Sequence, residues 1–284
     1  MKKKIYITNK SGEKELFSKQ KIYNSARRVG ASKQLAESIA LTIRKEIFPG
    51  MTTFDIYERV EEILDKEYPK GSIRFRLKEA IMSLGPSGFP FEKYIGDVLQ
   101  KMGFKIELNQ YIDGACVTHE VDVVAIEKKY YLIGECKYHT LPGKKTDLRI
   151  GLHHYARCLD IELGDYCKKK FKNLKPRPII ITNNKFTNQL LKYAECVGLD
   201  LLGWKYPRGT GLEYIVETEQ FYPITILPSF KDELLEAFSK EKIMLAQELL
   251  SMEVTECAKK LQVSKEKIST LKKEAEILFA KNSF

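Results

Sequence analysis

Apolar and polar positions along the first 86 residues predict a short hairpin followed by helices. The segment KIYIT at residues 4–8 is typical of a strand, NKSGEK predicts a turn, and ELF at 15–17 predicts a return strand. Apolar residues then recur every three or four positions, which favours helices. The helical segments are 18–30, 32–48, 52–68 and 71–84. Ser18 and Thr53 are the predicted N-caps of the first and third of these helices.

A different periodicity begins after GPSGFPF at residues 85–91, a glycine- and proline-rich stretch that predicts a domain boundary. The segments beyond it follow the order α-β-β-β-α-β-α-β, which predicts a mixed sheet with helices on both faces. The segments are 91–104, 105–112, 119–126, 130–138, 147–163, 177–182, 185–198 and 199–204. The predicted fold class is therefore a multidomain α+β or α/β protein.

The last part of the chain, from Ser229 onward, is helical and rich in lysine. A short turn at Val263–Ser264, with Ser264 as N-cap, separates two helices. This pair resembles a degenerate helix-hairpin-helix or a helix-turn-helix, both of which bind DNA, but the diagnostic glycines of the former are missing. A plain helical cap remains an alternative. The predicted domains are thus 1–86, 87–228 and 229–284.

Charged residues gather at one end of the predicted hairpin HEVDVVAIEKKYYLIGECKYH, residues 119–139. A turn at Lys128–Lys129 places Asp122 opposite Glu135 and Glu120 opposite Lys137, all on one face. The other face carries an apolar set, predicted to be Val121, Val123 and Ala125 against Leu132, Gly134 and Cys136.

Two opposed carboxylates, here Asp122 and Glu135, repel each other at cross-strand distances of roughly 4.5–5.5 Å, and a divalent cation between them reverses that effect. Their hard oxygen ligands suit Mg²⁺, and a neighbouring lysine such as Lys137 fits the same chemistry. The alternative is a solvated hairpin end in which the acids and the lysine form ordinary salt bridges.

Composition narrows the class of partner. The net charge of +10 and a pI of about 9.1 favour a polyanion such as nucleic acid, although a lysine-rich protein without such a partner has the same balance. The six cysteines form no C-x-x-C pair, which argues against a zinc ribbon. No apolar run approaches membrane-spanning length, and the basic N-terminus lacks the apolar core of a secretory signal. We therefore expect no membrane partner and a reducing, cytoplasmic location.

The region from about 87 to 205 resembles the PD-(D/E)xK nuclease superfamily, and within it the Mrr-like restriction endonucleases, which have an α-β-β-β-α-β core. The resemblance matches Asp122 to the acid of the second core strand and Glu135-Cys136-Lys137 to the (D/E)-x-K of the third. It implies a Mg²⁺-dependent DNA endonuclease in which Asp122, Glu135 and the backbone carbonyl of Cys136 hold the metal and Lys137 positions the water. Glu92, on the first helix, takes the place of an additional ligand found in part of the family. Val121 stands where the family has proline.

The sequence is also compatible with two other functions. One is a non-catalytic DNA-binding or nucleotide-sensing regulator on a nuclease fold, and the other is a branched-DNA resolvase. A homodimer is expected if both DNA strands are cut, because that usually needs two active sites. Beyond the hairpin, His139 is a candidate phosphate contact or an ordinary hydrogen-bonded side chain, whereas His153 and His154 have no partner at metal-ligand spacing. Lys144, Lys145 and Arg149 predict either DNA-backbone contacts or a solvated loop.

The N-terminal segment IYITNKSGEKELFSKQKI resembles the start of an ATP-cone, a nucleotide-binding regulatory module. Matching residues are Ile7, Lys10, Gly12, Phe17, Lys21 and Ile22. The resemblance implies that Lys10, Gly12, Phe17 and Lys21 bind ATP or dATP as a regulatory ligand, since lysines neutralise phosphates and glycine lets the backbone approach them. Asn9 departs from the basic pair of the family and removes one charge. The alternative is a small basic domain that docks on DNA or on another subunit.

Overall fold

The structure, a computed structural model, describes residues 5–9, 12–141, 143–171 and 174–281. Its N-terminal part is an antiparallel hairpin of β1 and β2 followed by helices, as the periodicity predicts, but the predicted fourth helix at 71–84 is divided into two, so that five helices follow the hairpin. The elements are β1 Tyr6–Thr8, β2 Lys14–Leu16, α1 Lys19–Arg28, α2 Lys33–Glu46, α3 Thr53–Glu67, α4 Pro69–Phe75 and α5 Leu77–Met82.

Helix caps in this part follow the sequence closely, with one correction. The Ser18 side chain accepts a hydrogen bond from the Lys21 backbone N–H and caps α1 as predicted. The predicted cap of α3 is wrong by one residue: Thr52 is the N-cap, and Thr53 is already helical. The reason is a capping box, in which Thr52 accepts from the Asp55 N–H while the Asp55 carboxylate accepts from the Thr52 N–H.

The central part is a mixed α/β layer structure around a five-stranded sheet in the order β3-β4-β5-β7-β9. Strands β3, β4 and β5 are antiparallel neighbours, whereas β5, β7 and β9 run parallel, and β6 and β8 form a separate two-stranded parallel sheet. The elements are α6 Phe89–Lys101, β3 Lys105–Asp113, β4 Thr118–Ile126, β5 Tyr130–Lys137, β6 Lys145–Thr146, α7 Leu148–Leu163, α8 Asp165–Phe171, β7 Lys175–Thr182, β8 Lys185–Phe186, α9 Asn188–Val197, β9 Asp200–Leu202 and α10 Leu212–Glu219.

Both faces of the sheet are covered. Val123, Ala125 and Leu132 pack on one side in a cluster that includes α6. Val124 and Ile133 pack on the other side with residues of α7. A charged side chain on these strands can therefore reach solvent only where the strands end, which restricts any polar site to a rim of the sheet.

The C-terminal part is helical and packs into the same core as the sheet. Buried residues of its last two helices, among them Leu261 and Leu271, share a cluster with α6 and with Leu77 and Ile81 of α5. Ser264 caps the last helix as predicted. Packing is thus continuous across residues 86 and 228, and the domain division stays a prediction from sequence. The elements are 3₁₀ turns at Ile224–Ile226 and Asp232–Leu234, then α11 Leu235–Lys240, α12 Glu248–Ser251, α13 Val254–Leu261 and α14 Lys265–Phe279.

Ion pairs join the N-terminal part to the central part. Glu217 on α10 accepts hydrogen bonds from Arg74 of α4 at 2.5 Å and from the Tyr222 hydroxyl at 3.0 Å, and lies 3.4 Å from Arg28 of α1. Among the described helices, none is long and apolar enough to cross a membrane.

Candidate active site

Strands β4 and β5 separate next to the predicted acidic residues. Their paired positions run from Ile126–Tyr131 to Val123–Gly134, in the register predicted from a turn at Lys128–Lys129, but the predicted pairs Asp122–Glu135 and Glu120–Lys137 are not paired positions of this ladder. Beyond Gly134, strand β5 continues to Lys137 in register with β7. The side of Glu135–Lys137 that faces β4 therefore opens into a gap between the two strands.

The side chain of Asp122 fills this gap. Its Oδ2 accepts a hydrogen bond of 2.7 Å from the backbone N–H of Cys136. On the β3 side of Asp122, Leu108 pairs with Val123 and Gln110 pairs with Val121. Asp122 therefore lies opposite Asn109, between these two paired positions. The carboxylate of Asp122 thus satisfies a main-chain donor that regular pairing would have used.

Asn109 also changes which face the following side chains occupy. Its φ of 49° is left-handed, a conformation that asparagine tolerates better than most residues. Past this point Val121 packs with Val124 and Ile133 instead of with Val123, so its predicted place on the other apolar face is wrong. The physical reason is that one left-handed residue interrupts the two-residue alternation of β3, and β4 follows its partner.

The predicted acidic residues influence one another. Burial, followed by the charges of Glu135 and Glu92, raises the pKa of Asp122 to about 7, against the opposing effects of the Cys136 N–H and Arg157. Burial also raises the pKa of Glu92, and the charges of Glu120 and Glu135 add to it. We call Glu92, Glu120, Asp122 and Glu135 the acid cluster, because each contributes negative charge to this rim of the sheet.

Two residues that sequence reasoning missed hold the cluster in place. Arg157 of α7 donates from Nη1 to Glu135 Oε2 at 2.5 Å, with 14% of the arginine side chain and 18% of the glutamate side chain exposed. Asn109 donates from Nδ2 to Glu92 Oε2 at 3.0 Å. The sequence could have indicated the role of Arg157, because this residue lies one turn from His154 and from Ile161 on the buried face of α7, where a charged side chain needs a partner.

Lys137 lies at the end of β5, two residues after Glu135, so both side chains leave the same face of the strand. The Thr182 hydroxyl donates to the Lys137 carbonyl at 2.7 Å and ties this strand end to β7. None of the ion pairs among the described residues involves Lys137. Its ammonium group is therefore available to a ligand at the rim.

The histidines near the site have structural partners. His139 is buried, its Nε2 lies 2.9 Å from Thr146 Oγ1, and its backbone N–H donates to Asn183 Oδ1. His154 is fully buried, and its Nε2 lies 3.0 Å from the Ile133 carbonyl oxygen. Burial lowers the pKa of both histidines, so both are neutral near pH 7.

The donor atoms of the acid cluster suit a divalent cation, since they are hard carboxylate oxygens at an electrostatically crowded rim. Among the described residues, however, no group of three or more His, Cys, Asp or Glu side chains is arranged to hold a metal ion as it stands. The hydrogen bonds explain this: Arg157 engages Glu135, and Asn109 engages Glu92. Each of these hydrogen bonds engages one carboxylate oxygen, so a metal at this rim would bind the second oxygen of Glu135 and of Glu92 or replace their protein partners.

The predicted nucleotide residues lie in and beside the N-terminal hairpin. Lys10 lies outside the described residues. Gly12, at φ +81°, is part of the turn that Asn9 closes, where Asn9 Oδ1 accepts from the Glu13 N–H. Phe17 and Lys21 line a cavity of about 180 Å³. Lys21 Nζ lies 3.3 Å from Glu15 Oε2.

Comparison with known proteins places the chain in a family. Residues 222–279 match the family described as AF1548-like, C-terminal. Over 159 residues the chain is 37% identical to an uncharacterized protein of Archaeoglobus fulgidus, an alignment that covers 54% of this chain and 86% of that protein. The fold is also similar to the crystal structure of a protein of unknown function, AF1548, at a TM-score of 0.59 and 31% identity, covering 69% of this chain and 100% of that chain. At this identity and coverage, the chain belongs to the AF1548-like family.

Proposed function

We propose that the protein is a divalent-metal-dependent nuclease that hydrolyses DNA phosphodiester bonds, with a restriction endonuclease-like core of the Mrr type. The observation that carries this proposal is the acid cluster at the point where β4 and β5 separate, with Lys137 on the same strand as Glu135. A buried carboxylate whose pKa is raised by two neighbouring acids is a costly arrangement for stability alone, and such arrangements concentrate at functional sites.

In this proposal Asp122, Glu135, Glu92 and the Cys136 carbonyl hold the cation, which is Mg²⁺ by the chemistry of its ligands. When bound, the ion supplies positive charge to the scissile phosphate and to the attacking water. The Lys137 ammonium orients that water or neutralises charge on the phosphate. The hydrogen bond from the Cys136 N–H keeps Asp122 directed at the strand gap.

The remaining parts of the proposal are regulation and location. The N-terminal part would act as an ATP-cone, with ATP or dATP in the cavity beside Phe17 and Lys21. The protein would work in the cytoplasm, and a homodimer would supply the two sites for double-strand cutting.

Plasmid cleavage with Mg²⁺, with and without ATP, tests the nuclease. Wild-type protein should nick or linearise the plasmid, and Lys137→Ala should not. Lys128→Ala is a matched control, because it removes the same charge from the exposed turn at the opposite end of the same hairpin. Equal cleavage by wild type and Lys137→Ala would reject the assignment, and adding four-way junctions to the substrate panel would distinguish a resolvase.

Titration with labelled ATP and dATP tests the nucleotide site. We expect saturable binding that Lys21→Ala weakens, because Lys21 is the exposed cation on the rim of the cavity. Lys33→Ala is the control, since Lys33 is exposed on the next helix and does not line this cavity. Absence of saturable binding at millimolar nucleotide would leave the N-terminal part as a basic docking domain.

A further inference from the structure

Two lysines face each other in the small sheet next to the acid cluster. Lys145 of β6 and Lys185 of β8 are register partners in a parallel pair, and both are exposed. Neighbouring strands lie about 4.7–4.9 Å apart, and like charges directly opposite each other destabilise a sheet. An anion placed between the two ammonium groups changes repulsion into attraction.

This small sheet is attached directly to the candidate site. Thr146, which follows Lys145, forms a hydrogen bond with His139 Nε2, and its hydroxyl donates to Thr182 Oγ1 at 3.3 Å. Thr182 is the register partner of Lys137 and donates to its carbonyl. Two hydrogen bonds, from Thr146 to Thr182 and from Thr182 to the Lys137 carbonyl, therefore link the lysine pair to the end of β5.

The positive charges around the pair are also close to one another. Lys144 and Lys137 both lower the pKa of the buried His139, after the larger effect of burial. On the other side, burial lowers the pKa of Lys78 to about 8, with the charges of Lys185 and Lys205 acting in the same direction and that of Glu213 opposing them. Positive charge thus continues from Lys137 past the small sheet.

Acidic residues do not neutralise the pair. None of the ion pairs among the described residues involves Lys144, Lys145 or Lys185. The nearby acids have other partners, since Asp147 pairs with Arg149 and Glu213 pairs with Arg28 and Lys205. The lysines thus leave unpaired positive charge beside the acid cluster, in which Arg157 pairs with Glu135.

We propose that Lys144, Lys145 and Lys185, here named the lysine ridge, bind the phosphate backbone of duplex DNA beside the acid cluster. This inference rests on the proposed nuclease function for its choice of polyanion. A nuclease needs the scissile phosphate at the acid cluster despite the negative charge there, and the ridge supplies attraction to neighbouring phosphates. Contacts of this kind position the duplex without reading its sequence.

The test is the salt dependence of binding to a duplex of about 30 base pairs, measured by fluorescence anisotropy with the full chain in EDTA, between about 50 and 200 mM salt. The double variant Lys145→Ala/Lys185→Ala should lose about one unit of the slope of log K against log[salt] for each phosphate contact removed. Its affinity should fall roughly tenfold per contact at about 0.1 M salt. The matched control is Lys128→Ala/Lys129→Ala, which removes the same charge from the far end of the sheet and should keep the wild-type slope.

Thermal denaturation without DNA provides a second readout. Because the substitutions remove a like-charged pair, the double variant should unfold at the same temperature as wild type or higher. If Lys145→Ala/Lys185→Ala has the same slope of log K against log[salt] as the control variant, the ridge proposal is wrong. If DNA binding depends on the lysine ridge but the protein never cleaves DNA with Mg²⁺, the nuclease proposal is rejected and the ridge proposal stands. If the protein cleaves DNA and the ridge variant keeps the wild-type salt slope, the ridge proposal is rejected and the nuclease proposal stands.

Discussion

The carboxylate of Asp122 accepts a hydrogen bond from the backbone N–H of Cys136 at 2.7 Å, at the position where β4 and β5 stop pairing. One side chain thereby closes the end of a ladder and carries a negative charge into the strand gap. The same contact holds Asp122 next to Glu135, whose charge raises the pKa of Asp122. The end of the β4–β5 ladder and the proposed metal site therefore depend on the same carboxylate.

Replacing Asp122 with Asn separates these two roles. The amide oxygen of Asn can still accept from the Cys136 N–H, so we expect the free energy of unfolding in EDTA to stay equal to wild type or to rise, since a repelling charge is removed. Mg²⁺-dependent cleavage should disappear. Urea denaturation and plasmid cleavage measure the two effects. Asp113→Asn, at the exposed end of β3, is the control and should change neither. Full cleavage by Asp122→Asn would contradict the assigned role.

Arg157 should stabilise the fold mainly through Glu135. Arg157→Ala leaves a mostly buried carboxylate without its cation, so we expect a loss of about 2 kcal/mol in the free energy of unfolding in EDTA. Adding Glu135→Gln should restore about half of that loss, because the stranded charge is gone. Urea denaturation of the single and double variants gives the coupling. Additive effects would show that the two side chains act independently.

Mg²⁺ should reduce the effect of Arg157→Ala. If the ion binds Glu135, it replaces the missing guanidinium, and binding to the folded state raises the midpoint of unfolding. The comparison is the urea midpoint of Arg157→Ala with and without Mg²⁺, beside wild type. An identical Mg²⁺ response in the Arg157→Ala/Glu135→Gln variant would indicate that Glu135 is not a ligand.

Glu217 should anchor the N-terminal part to the sheet. It interacts with Arg28, Arg74 and Tyr222, and only 13% of its side chain is exposed. Glu217→Gln should lower the free energy of unfolding by about 2 kcal/mol, because Arg74 loses its charged partner and Arg28 keeps only its ion pair with Glu213. Glu219→Gln, at the exposed end of the same helix, is the control and should cost nothing measurable. Equal stability of the two variants would mean that the ion pairs are compensated by solvent.

Asp97 of α6 should make stability depend on pH. Burial, followed by the charge of Glu248, raises the pKa of Asp97 to about 7, although Lys93, Lys101 and Lys242 oppose the shift. The unfolded chain releases this proton near pH 4, so the folded state binds more protons between about pH 4 and 7 and loses stability as pH rises through that window.

The Asp97→Asn variant should therefore match wild type near pH 4 and be more stable at pH 8 by about 1–2 kcal/mol, after discounting for partial solvent exposure. Thermal or urea denaturation at the two pH values measures the difference. Asp165→Asn is the control, because Asp165 is 74% exposed and should give no pH-dependent change. A wild-type advantage at pH 8 would contradict the sign.

Local features of this protein follow from its sequence. Ser18 and Ser264 cap their helices because a side-chain oxygen within one turn satisfies a free backbone N–H, which needs no distant residue. The β4–β5 register follows from alternation and the position of the Lys128–Lys129 turn. The order of the main helices and strands of the five-stranded sheet follows from the change in apolar period, whereas α8 and the small β6–β8 sheet were not predicted, and Lys185–Phe186 is a strand, not the start of the predicted helix 185–198.

The tertiary structure alone decided how the candidate site is assembled. The partnership of Glu135 with Arg157 joins a strand to a helix that begins after a loop, and the left-handed Asn109 moves Val121 to the other face of the sheet. Both depend on contacts between segments far apart in the chain, where burial, not local propensity, sets the free energy. Sequence periodicity reports which side of its own element a residue occupies, and it carries no information on which charge from another element will meet it there.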